Sequence, residues 1–372
     1  MQLLQLTIHN FKNIPEASIT FSPGINCLLG DNGMGKSNLL DAIYYLSFCR
    51  SFSGQSDSAL ITSDAPFMML KGEYIRRGVP EEVSAGLTRG RRKSFKRKGK
   101  EYDRISAHIG QFPLVMVSPH DSFLITGTGE ERRRLVDMVI SQADPVYLDA
   151  LIRYARALEQ RNKLLRAHVV DPALYSAVEM SMTMASTVIH DRRTAWVNRF
   201  SSIFDGYYRA ISGRPDEPVS LTYVSHLNDP GATVQSILDS ARRHDEAVGY
   251  TSVGVHRDDL RMSLNGMDVR RTGSQGQCKT FTIAMRLAQY DFLAETTNLR
   301  PLLLLDDIFD KLDASRVERI VDIVRSDKFG QIFITDTNRD HLDSIMSHTS
   351  DPYSLFTVHE GIFTPVPHNE AR

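Results

Sequence analysis

Apolar and polar residues follow the period of a strand in some stretches of the chain and the period of a helix in others. In the first 50 residues this pattern predicts strands over Leu3–His9, Ala17–Phe21 and Ile25–Leu29, then a helix over Asn38–Phe48. After residue 270 it predicts a helix over 274–295, a strand over Pro301–Leu305, a helix over Ser315–Arg325, a strand over Gln331–Thr335 and a hairpin over Tyr353–Pro365. Strands that alternate with helices are typical of an α/β domain.

The middle of the chain is first rich in strands and then in helices. Turn signals separate predicted strands over Phe67–Arg76, Glu82–Thr88, Lys93–Lys98 and Leu114–Val117. Helices are predicted over 130–166, with a break at Asp144-Pro145, and over 171–211, followed by a strand over Val219–Val224 and a helix over Thr233–His244. We therefore predict an α/β fold in which one lobe has two parts, 1–118 and 255–372, and a mainly helical second lobe, 119–254, is inserted between them.

The composition is that of a soluble globular protein, with 372 residues, 41% hydrophobic and 24% charged. A formal net charge of −1 means that any contact with nucleic acid must come from local basic patches. The three cysteines, Cys27, Cys49 and Cys278, are scattered, which indicates a reducing compartment. No apolar run reaches membrane-spanning length and no signal sequence is evident, so we expect a cytoplasmic protein without a membrane partner.

A glycine-rich stretch between the predicted strand Ile25–Leu29 and the following helix matches the phosphate-binding loop, G-x-x-x-x-G-K-[ST]. Such a loop directs backbone N–H groups at phosphate oxygens, and the helix N-terminus adds partial positive charge. Lys36 is predicted to reach the β- and γ-phosphates, and the Ser37 hydroxyl to hold Mg²⁺. The predicted nucleotide-binding residues here are Gly30, Asp31, Asn32, Gly33, Met34, Gly35, Lys36, Ser37 and Asn38.

A second nucleotide motif is the apolar run Pro301–Leu305 with Asp306 and Asp307 directly after it. An uninterrupted apolar run is typical of a parallel strand buried on both faces. Carboxylates at the C-terminal end of such a strand lie where open α/β sheets bind ligands. Asp306 is predicted to orient Mg²⁺ together with Ser37. Asp307 is predicted to polarise the water that attacks the γ-phosphate, so Asp307 and Lys36 are the candidate catalytic residues.

A third motif, Ser274-Gln275-Gly276-Gln277, opens the predicted helix 274–295 and forms another candidate anion site. One chain has little use for two such sites on one triphosphate. Two chains arranged head to tail do, because each offers Ser274 and Gly276 to the nucleotide held by the other. This is the arrangement of ATP-binding-cassette (ABC) proteins, and the motif resembles the S-G-G-Q core of the ABC signature, with Gln275 in place of the first glycine.

Further segments resemble the RecF family, whose members are SMC-like ABC ATPase heads. Three segments carry this resemblance, namely Ser118–Asp121 with 127–137, His256–Asp259 and Asp306–Asp313, and the likeness covers nearly the whole chain in order. Asn10–Asn13 resembles the N-terminal segment of SMC- and Rad50-like heads. The resemblance implies that Lys12, with Asn13 beside it, approaches the phosphates. It also implies that Gln277 acts with the signature and that Asp313 is the D-loop acid. Thr335-Asp336-Thr337 falls where ABC transporters carry a switch histidine, and no histidine stands there.

What the resemblance implies about function is specific. RecF-like proteins are ATP-dependent DNA-binding proteins that dimerise on ATP. With RecR and RecO they help to load RecA at gapped DNA, and they support recombinational repair and the SOS response. Their ATP hydrolysis is slow and acts as a switch. The expected cofactors of this chain are therefore ATP and Mg²⁺, and its expected partners are single-stranded and duplex DNA, RecR, RecO and a second copy.

A dense basic run over 89–100 is the candidate DNA contact. Several cations on one β-ribbon would neutralise successive phosphates and give salt-dependent binding with little sequence preference. The alternative is a solvated edge hairpin, since lysines also protect sheet edges from aggregation. The predicted DNA-binding residues are Arg91, Arg92, Lys93, Lys96, Arg97 and Lys98.

Two other functions stay open on the sequence alone. The first is the ATPase subunit of an ABC transporter, against which the missing switch histidine and the inserted helical lobe argue. The second is a P-loop kinase or transferase, which would transfer a phosphoryl group to a small molecule and would need no dimer.

Overall fold

The structure is a computed structural model and describes residues 1–309, 312–346 and 352–367. Its strands are β1 (Gln2–Phe11), β2 (Ile14–Thr20), β3 (Ile25–Leu29), β4 (Phe67–Arg76), β5 (Val79–Thr88), β6 (Ser94–Arg97), β7 (Lys100–Glu101), β8 (Leu114–Val117), β9 (Val219–Val224), β10 (Asp259–Leu264), β11 (Met267–Asp268), β12 (Leu302–Asp306), β13 (Ile332–Asp336), β14 (Tyr353–His359) and β15 (Ile362–Pro365). Its α-helices are α1 (Lys36–Phe48), α2 (Phe123–Thr126), α3 (Gly129–Ala143), α4 (Pro145–Arg166), α5 (Pro172–Ser212), α6 (Val234–Val248), α7 (Val269–Thr272), α8 (Gln275–Thr297), α9 (Ala314–Val324) and α10 (Arg339–Met346).

The chain divides into two compact units. The first comprises Met1–Asp121, Ala210–Gly213 and the residues from Lys279 onward. The second comprises Ser122–Arg209 and Arg214–Cys278. The domain boundaries predicted after residues 118 and 254 stay a prediction. Among the described residues, no helix combines the length and the apolar character that crossing a membrane requires.

A mainly parallel sheet in the first unit carries the predicted nucleotide motifs. In the described residues its strand order is β15-β14-β3-β13-β12-β8, and all neighbours pair in parallel except β14 with β15. Every residue of β12 is buried, as its apolar sequence predicts. Because β3, β12 and β13 run in the same direction, their carboxyl ends meet at one edge of the sheet.

An antiparallel sheet of order β2-β1-β4-β5-β6-β7 lies in the same unit. Helix α1 packs against strands of both sheets, including β1 and β4 of the antiparallel sheet and β12 and β13 of the parallel one. The sequence predicts one apolar face for this helix, through Leu39, Ile43 and Leu46. The helix is instead buried on nearly all sides, with eleven of its thirteen residues buried, because a sheet covers each flank.

The second unit is mainly helical, as predicted, and its long helices begin where the sequence provides caps. Thr128 and Glu131 form a reciprocal capping box at the start of α3. The Asp144 carboxylate accepts from Val146 N at 2.9 Å, and Pro145 occupies the first position of α4. A small sheet of order β11-β10-β9 completes the unit. Strand β10 was not predicted.

Candidate nucleotide-binding site

The glycine-rich loop joins β3 to α1, and its glycines allow its shape. Gly33 and Gly35 have φ values of 82° and 114°, in the left-handed region that side chains disfavour. A Cβ atom on Gly30 would collide with the backbone carbonyl of Val358 in β14. Helix α1 begins at Lys36, two residues before the predicted start at Asn38. The loop and helix N-terminus thus have the arrangement that a phosphate-binding loop requires.

Lys36 lies along the loop and is almost fully buried, with 4% of its surface exposed. Its ammonium donates to the carbonyl oxygens of Gly30 at 2.6 Å and Asp31 at 3.0 Å. Both acceptors belong to the loop that it would serve. A phosphate bound at the loop would therefore meet a cation that is already positioned at its rim.

The metal-ligand prediction concerns Ser37 and Asp306, which the structure brings together. Ser37 Oγ donates to Asp306 Oδ1 at 2.8 Å, and Thr335 Oγ1 donates to the same oxygen at 2.7 Å. Burial raises the pKa of Asp306, while the hydrogen bonds from Thr335 and Ser37 oppose that rise. A hydroxyl and a carboxylate at one point are hard oxygen donors, which fits Mg²⁺. The assignment of both residues as metal ligands stays a prediction.

Asp307 follows β12 with a backbone that is unusual for a residue with a side chain. Its φ is 45°, and its N–H donates to Thr335 Oγ1 at 3.1 Å. Burial and, after it, the charge of Asp306 raise the pKa of the Asp307 carboxyl. A carboxylate with a raised pKa is a better proton acceptor, which suits the predicted role of polarising water.

The segment at the β1–β2 turn contacts the loop through one of its two predicted residues. Asn13 Nδ2 donates to Gly33 O at 3.2 Å, and Asn13 Oδ1 accepts from Asn38 Nδ2 at 2.7 Å. The Lys12 ammonium pairs with Asp41 Oδ2 at 2.6 Å, and its approach to the phosphates stays a prediction. Asn13 and Asn38 therefore brace the loop, and Lys12 is committed to a buried carboxylate of α1.

The signature segment lies at the start of α8, and its residues cap that helix. Ser274 N donates to Gln277 Oε1 at 2.9 Å, and Gln277 N donates to Ser274 Oγ at 3.3 Å. Gln277 Nε2 also donates to Glu217 Oε1 at 3.2 Å. Ser274 is exposed and Gly276 is half-buried. The polar side chains of the motif are held in place while Ser274 faces outward.

The predicted D-loop acid, Asp313, is the N-cap of α9. Its carboxylate accepts from Ser315 Oγ at 2.7 Å and from Arg316 N at 3.0 Å. The Ser315 hydrogen bond is the main reason why the pKa of Asp313 is lowered. Residues 310 and 311 of the same predicted block lie outside the described residues.

The basic run over 89–100 spans the β5–β6 connection, β6 and the start of β7. Arg91, Arg92, Lys96 and Lys98 are exposed. Their side chains are therefore accessible to a polyanion.

Several cations of the same run have partners within the protein, among them Arg97 and Lys93. Arg97 forms a two-pronged ion pair with Glu81, at 2.6 and 2.9 Å. Lys93 donates to Cys49 O at 2.7 Å and pairs with Asp57 at 3.1 Å. The predicted DNA contacts of Arg97 and Lys93 stay predictions, and each would compete with these pairs.

Two features of the first unit were missed by sequence reasoning. Thr335 supplies the hydroxyl that joins Asp306 to the backbone of Asp307. Arg286 of α8 pairs with Asp121. The sequence indicated Asp121 as part of the Ser118–Asp121 segment but gave no sign of this partner. Neither had a local signal, because both pairs join residues far apart in the chain.

A third missed feature lies in the second unit and explains the His256–Asp259 motif. Arg193 Nη1 donates to Asp258 Oδ2 at 3.0 Å, and Arg132 binds Asp259 through two hydrogen bonds of 2.7 and 2.9 Å. His256 Nδ1 lies 2.6 Å from the Tyr154 hydroxyl. The motif therefore ties helices α3, α4 and α5 to strand β10.

Comparison with known proteins shows to which family this chain belongs. The profile of the RecF/RecN/SMC N terminal domain matches residues 2–75. The DNA replication and repair protein RecF of Parabacteroides distasonis is 48% identical over 366 residues, which cover 98% of this chain and 100% of that protein. RecF of Phocaeicola vulgatus is 50% identical over 367 residues, covering 98% of each. This chain belongs to the RecF family.

Solved structures agree with the RecF family assignment. The recombination mediator protein RecF-ATP in the RecFOR pathway matches with a TM-score of 0.87 and 26% identity, over 98% of each chain. The Smc head domain derived from Pyrococcus furiosus matches with a TM-score of 0.59 and 18% identity, over 98% of this chain and 96% of that one, which is a likeness of fold. The predicted fold class, an ABC-type ATPase lobe with a mainly helical second lobe, is confirmed. Membership of the RecF family decides against the transporter subunit and the kinase.

Proposed function

We propose that this protein is an ATP-switched DNA-binding protein of replication and recombinational repair. The observation that carries the proposal is the hydrogen bond of 2.8 Å between Ser37 of the glycine-rich loop and Asp306 of β12. It joins the two halves of a nucleotide site that are 269 residues apart in the chain. Relatives at 48 to 50% identity are replication and repair proteins, and a structural relative is a RecF-ATP complex.

In this proposal each residue of the site has a defined task. When the nucleotide binds, the Lys36 ammonium exchanges its hydrogen bonds to the loop carbonyls for contacts with the β- and γ-phosphates. Ser37 and Asp306 hold Mg²⁺, which when bound neutralises phosphate charge. Asp307 accepts a proton from the attacking water. Asn13 keeps the loop in register through Gly33. ATP hydrolysis is slow and acts as a switch that ends the DNA-bound state.

The proposed active form is a head-to-tail homodimer. Ser274 is exposed at the N-terminus of α8, and Gln277 caps the same turn. A helix start with an outward-facing serine suits an anion presented by another molecule. Each copy thus contributes Ser274, Gly276 and Gln277 to the nucleotide of its partner, and Asp313 lies in the same interface.

The proposed ligand of the dimer is DNA at a gap, where duplex and single strand meet. The exposed cations Arg91, Arg92, Lys96 and Lys98 would contact successive phosphates without reading bases. The proposed protein partners are RecR and RecO. The proposed outcome is the loading of RecA and support of the SOS response. The proposed location is the bacterial cytoplasm, which holds the chromosome.

The test is DNA binding by the purified protein with and without ATP·Mg²⁺ across a salt series, using gapped and blunt duplexes. We expect ATP to tighten binding, gapped DNA to be preferred, and log K to fall linearly with log salt. The Lys36→Ala variant should bind DNA equally with and without ATP. A wild-type protein whose DNA affinity does not respond to ATP would contradict the proposal.

A further inference from the structure

Thr335 is fully buried near the end of β13, next to Asp306, the last residue of β12, and to Asp307, which follows it. The parallel register places it opposite Asp306. Paired residues of parallel strands project to the same face of a sheet, so the two side chains meet there. Thr335 belongs to the Thr335–Thr337 segment, which stands where transporters of the wider class carry a histidine.

A threonine hydroxyl has one hydrogen to donate and lone pairs to accept, and Thr335 uses both capacities. It donates to Asp306 Oδ1 at 2.7 Å and accepts from Asp307 N at 3.1 Å. One oxygen atom therefore fixes a carboxylate and the next peptide unit at the same time.

The hydrogen bond from Asp307 N to Thr335 stabilises an unfavourable backbone conformation at Asp307. A φ of 45° lies in the left-handed region, which a residue with a side chain adopts only where its surroundings impose it. The direction of the Asp307 side chain depends on this backbone angle. Without an acceptor at Thr335, the partly buried N–H of Asp307 would lose its partner, and the angle would relax.

The hydrogen bond to Asp306 continues the chain towards the loop. Asp306 Oδ1 also accepts from Ser37 Oγ at 2.8 Å. Ser37, Asp306, Thr335 and the peptide of Asp307 thus form one unbroken line of hydrogen bonds. A shift of Ser37 at one end moves the acceptor on which Thr335 depends, and through it the peptide of Asp307.

We propose that Thr335 is a positioning residue that couples the metal-holding pair Ser37 and Asp306 to the water-polarising carboxylate of Asp307. This inference rests on the proposed function and identifies the residue that connects its metal-holding pair to its water-polarising carboxylate. The effect of nucleotide binding at Ser37 reaches Asp307 through the Thr335 hydroxyl. The proposed role of Thr335 is exerted through these two hydrogen bonds and requires no contact with the nucleotide.

The test compares Thr335→Val, which keeps the side-chain volume and removes the hydroxyl, with Thr335→Ser, which keeps the hydroxyl. We expect Thr335→Val to lower kcat about tenfold or more, with ATP affinity in the absence of metal within about twofold of wild type. The Mg²⁺ concentration that gives half of the ATP-dependent rise in Tm should increase several-fold. Thr335→Ser should restore both values to within about threefold.

Thr20→Val is the matched control, because Thr20 is an exposed threonine at the end of β2, outside the predicted nucleotide motifs. It should leave kcat and the Mg²⁺ midpoint unchanged. Thr335→Val with wild-type kcat, or Thr335→Ser no better than Thr335→Val, would overturn the proposal. If Thr335→Val does not fold, Thr335→Cys, a weaker donor and acceptor, should give an intermediate kcat, and a wild-type kcat from it would equally refute the coupling.

The outcomes separate this inference from the proposed function. A wild-type protein that neither binds nor hydrolyses ATP defeats the proposed function. A wild-type protein that does both, with an unaffected Thr335→Val variant, defeats the coupling alone.

Discussion

Arg286 directs two N–H groups at one oxygen of Asp121, with Nη2 and Nε at 2.6 and 3.1 Å from Oδ1. Both side chains are buried, with 5% and 4% of their surfaces exposed. The other carboxylate oxygen accepts from Ser118 N at 3.0 Å. The pair therefore fastens α8, the helix that begins with the signature, to the segment that follows β8.

We predict that Asp121→Asn destabilises the protein by about 3 kcal/mol, because it leaves the buried Arg286 guanidinium without a counter-charge. Urea unfolding of wild type and variant at pH 7.5 measures the loss. Asp149→Asn is the matched control, because Asp149 forms an exposed pair with Arg153 on α4. That variant should change stability by less than about 0.5 kcal/mol. Equal effects of the two substitutions would show that burial of the pair is irrelevant.

The signature segment gives a prediction about assembly. Ser274→Arg should leave ATP binding by the monomer intact, because Ser274 is exposed and lies outside the unit that carries the glycine-rich loop. It should block ATP-dependent dimerisation and hydrolysis, because a long cation would fill the place meant for the partner's nucleotide. Sedimentation with and without ATP measures the first effect and phosphate release the second.

Lys36→Ala complements that variant, because it should abolish ATP binding itself and with it the dimer. A mixture of Ser274→Arg and Lys36→Ala proteins provides a sharper check. In a mixed dimer, the intact loop of the Ser274→Arg copy meets the intact signature of the Lys36→Ala copy. One of the two nucleotide sites is then complete, so partial hydrolysis should return. Full hydrolysis by Ser274→Arg alone would refute the shared site.

The exposed cations of the basic run predict a change in salt dependence. Replacing Arg91, Arg92 and Lys96 together by glutamine should lower the slope of log K against log salt by about 2 to 3 on duplex DNA. Protein stability should be unaffected, because these side chains are exposed. Fluorescence anisotropy between about 50 and 200 mM salt measures the slope.

A charge-matched control uses three exposed arginines of the second unit, Arg156, Arg166 and Arg243. Their replacement by glutamine alters the net charge equally and should leave the slope unchanged. Arg97→Gln should instead lower stability, because Glu81 is buried and would lose its two-pronged partner. An unchanged slope in the variant with Arg91, Arg92 and Lys96 replaced would show that the basic run is a solvated edge hairpin and not a DNA contact.

Two buried histidines predict how stability depends on pH. Burial lowers the pKa of His108 and of His256 to about 4, from an ordinary value near 6.5. Each directs Nε2 at a backbone carbonyl, Leu46 O at 2.7 Å and Thr251 O at 3.0 Å, which requires a hydrogen on that nitrogen. The other ring nitrogen then accepts from a tyrosine hydroxyl, so both rings are neutral in the folded protein.

The sign follows from proton binding. Between pH 6.5 and 4 the unfolded chain binds a proton at each histidine and the folded chain does not, so stability is complete above pH 6.5 and falls as the pH falls towards 4. The slope is at most about 1.4 kcal/mol per pH unit for each histidine. Urea unfolding at several pH values should show a shallower slope for His108→Gln than for wild type. Identical slopes would mean that His108 is protonated when folded.

Local patterns in the sequence sufficed for the elements that carry the nucleotide motifs. The mainly apolar run Leu302–Asp306 is buried throughout, as its sequence predicts for a central strand, and the glycines before Lys36 take the positive φ values that their spacing predicts for a phosphate-binding loop. Strand β10 was not predicted, although Leu260, Met262 and Leu264 alternate with polar residues over a stretch of six residues.

The contacts between distant segments could not be predicted from local patterns. The parallel pairing of β14 with β3 depends on two segments more than 300 residues apart. The pairing of Lys12 with Asp41 depends on how the β1–β2 turn lies against α1. The role of Thr335 depends on which strand neighbours β12, which is a property of the sheet order.

The position of β3 in its sheet has a consequence for how the protein is made. Its neighbours β13 and β14 are translated roughly 300 residues later, on the order of 15 to 60 s at bacterial speeds. Until then the apolar strand Ile25–Leu29 has no partner on either side, and Gly361 N has not yet reached Met34 O, to which it donates at 2.8 Å. We therefore expect the glycine-rich loop to reach its final arrangement only after β13 and β14 have been synthesised.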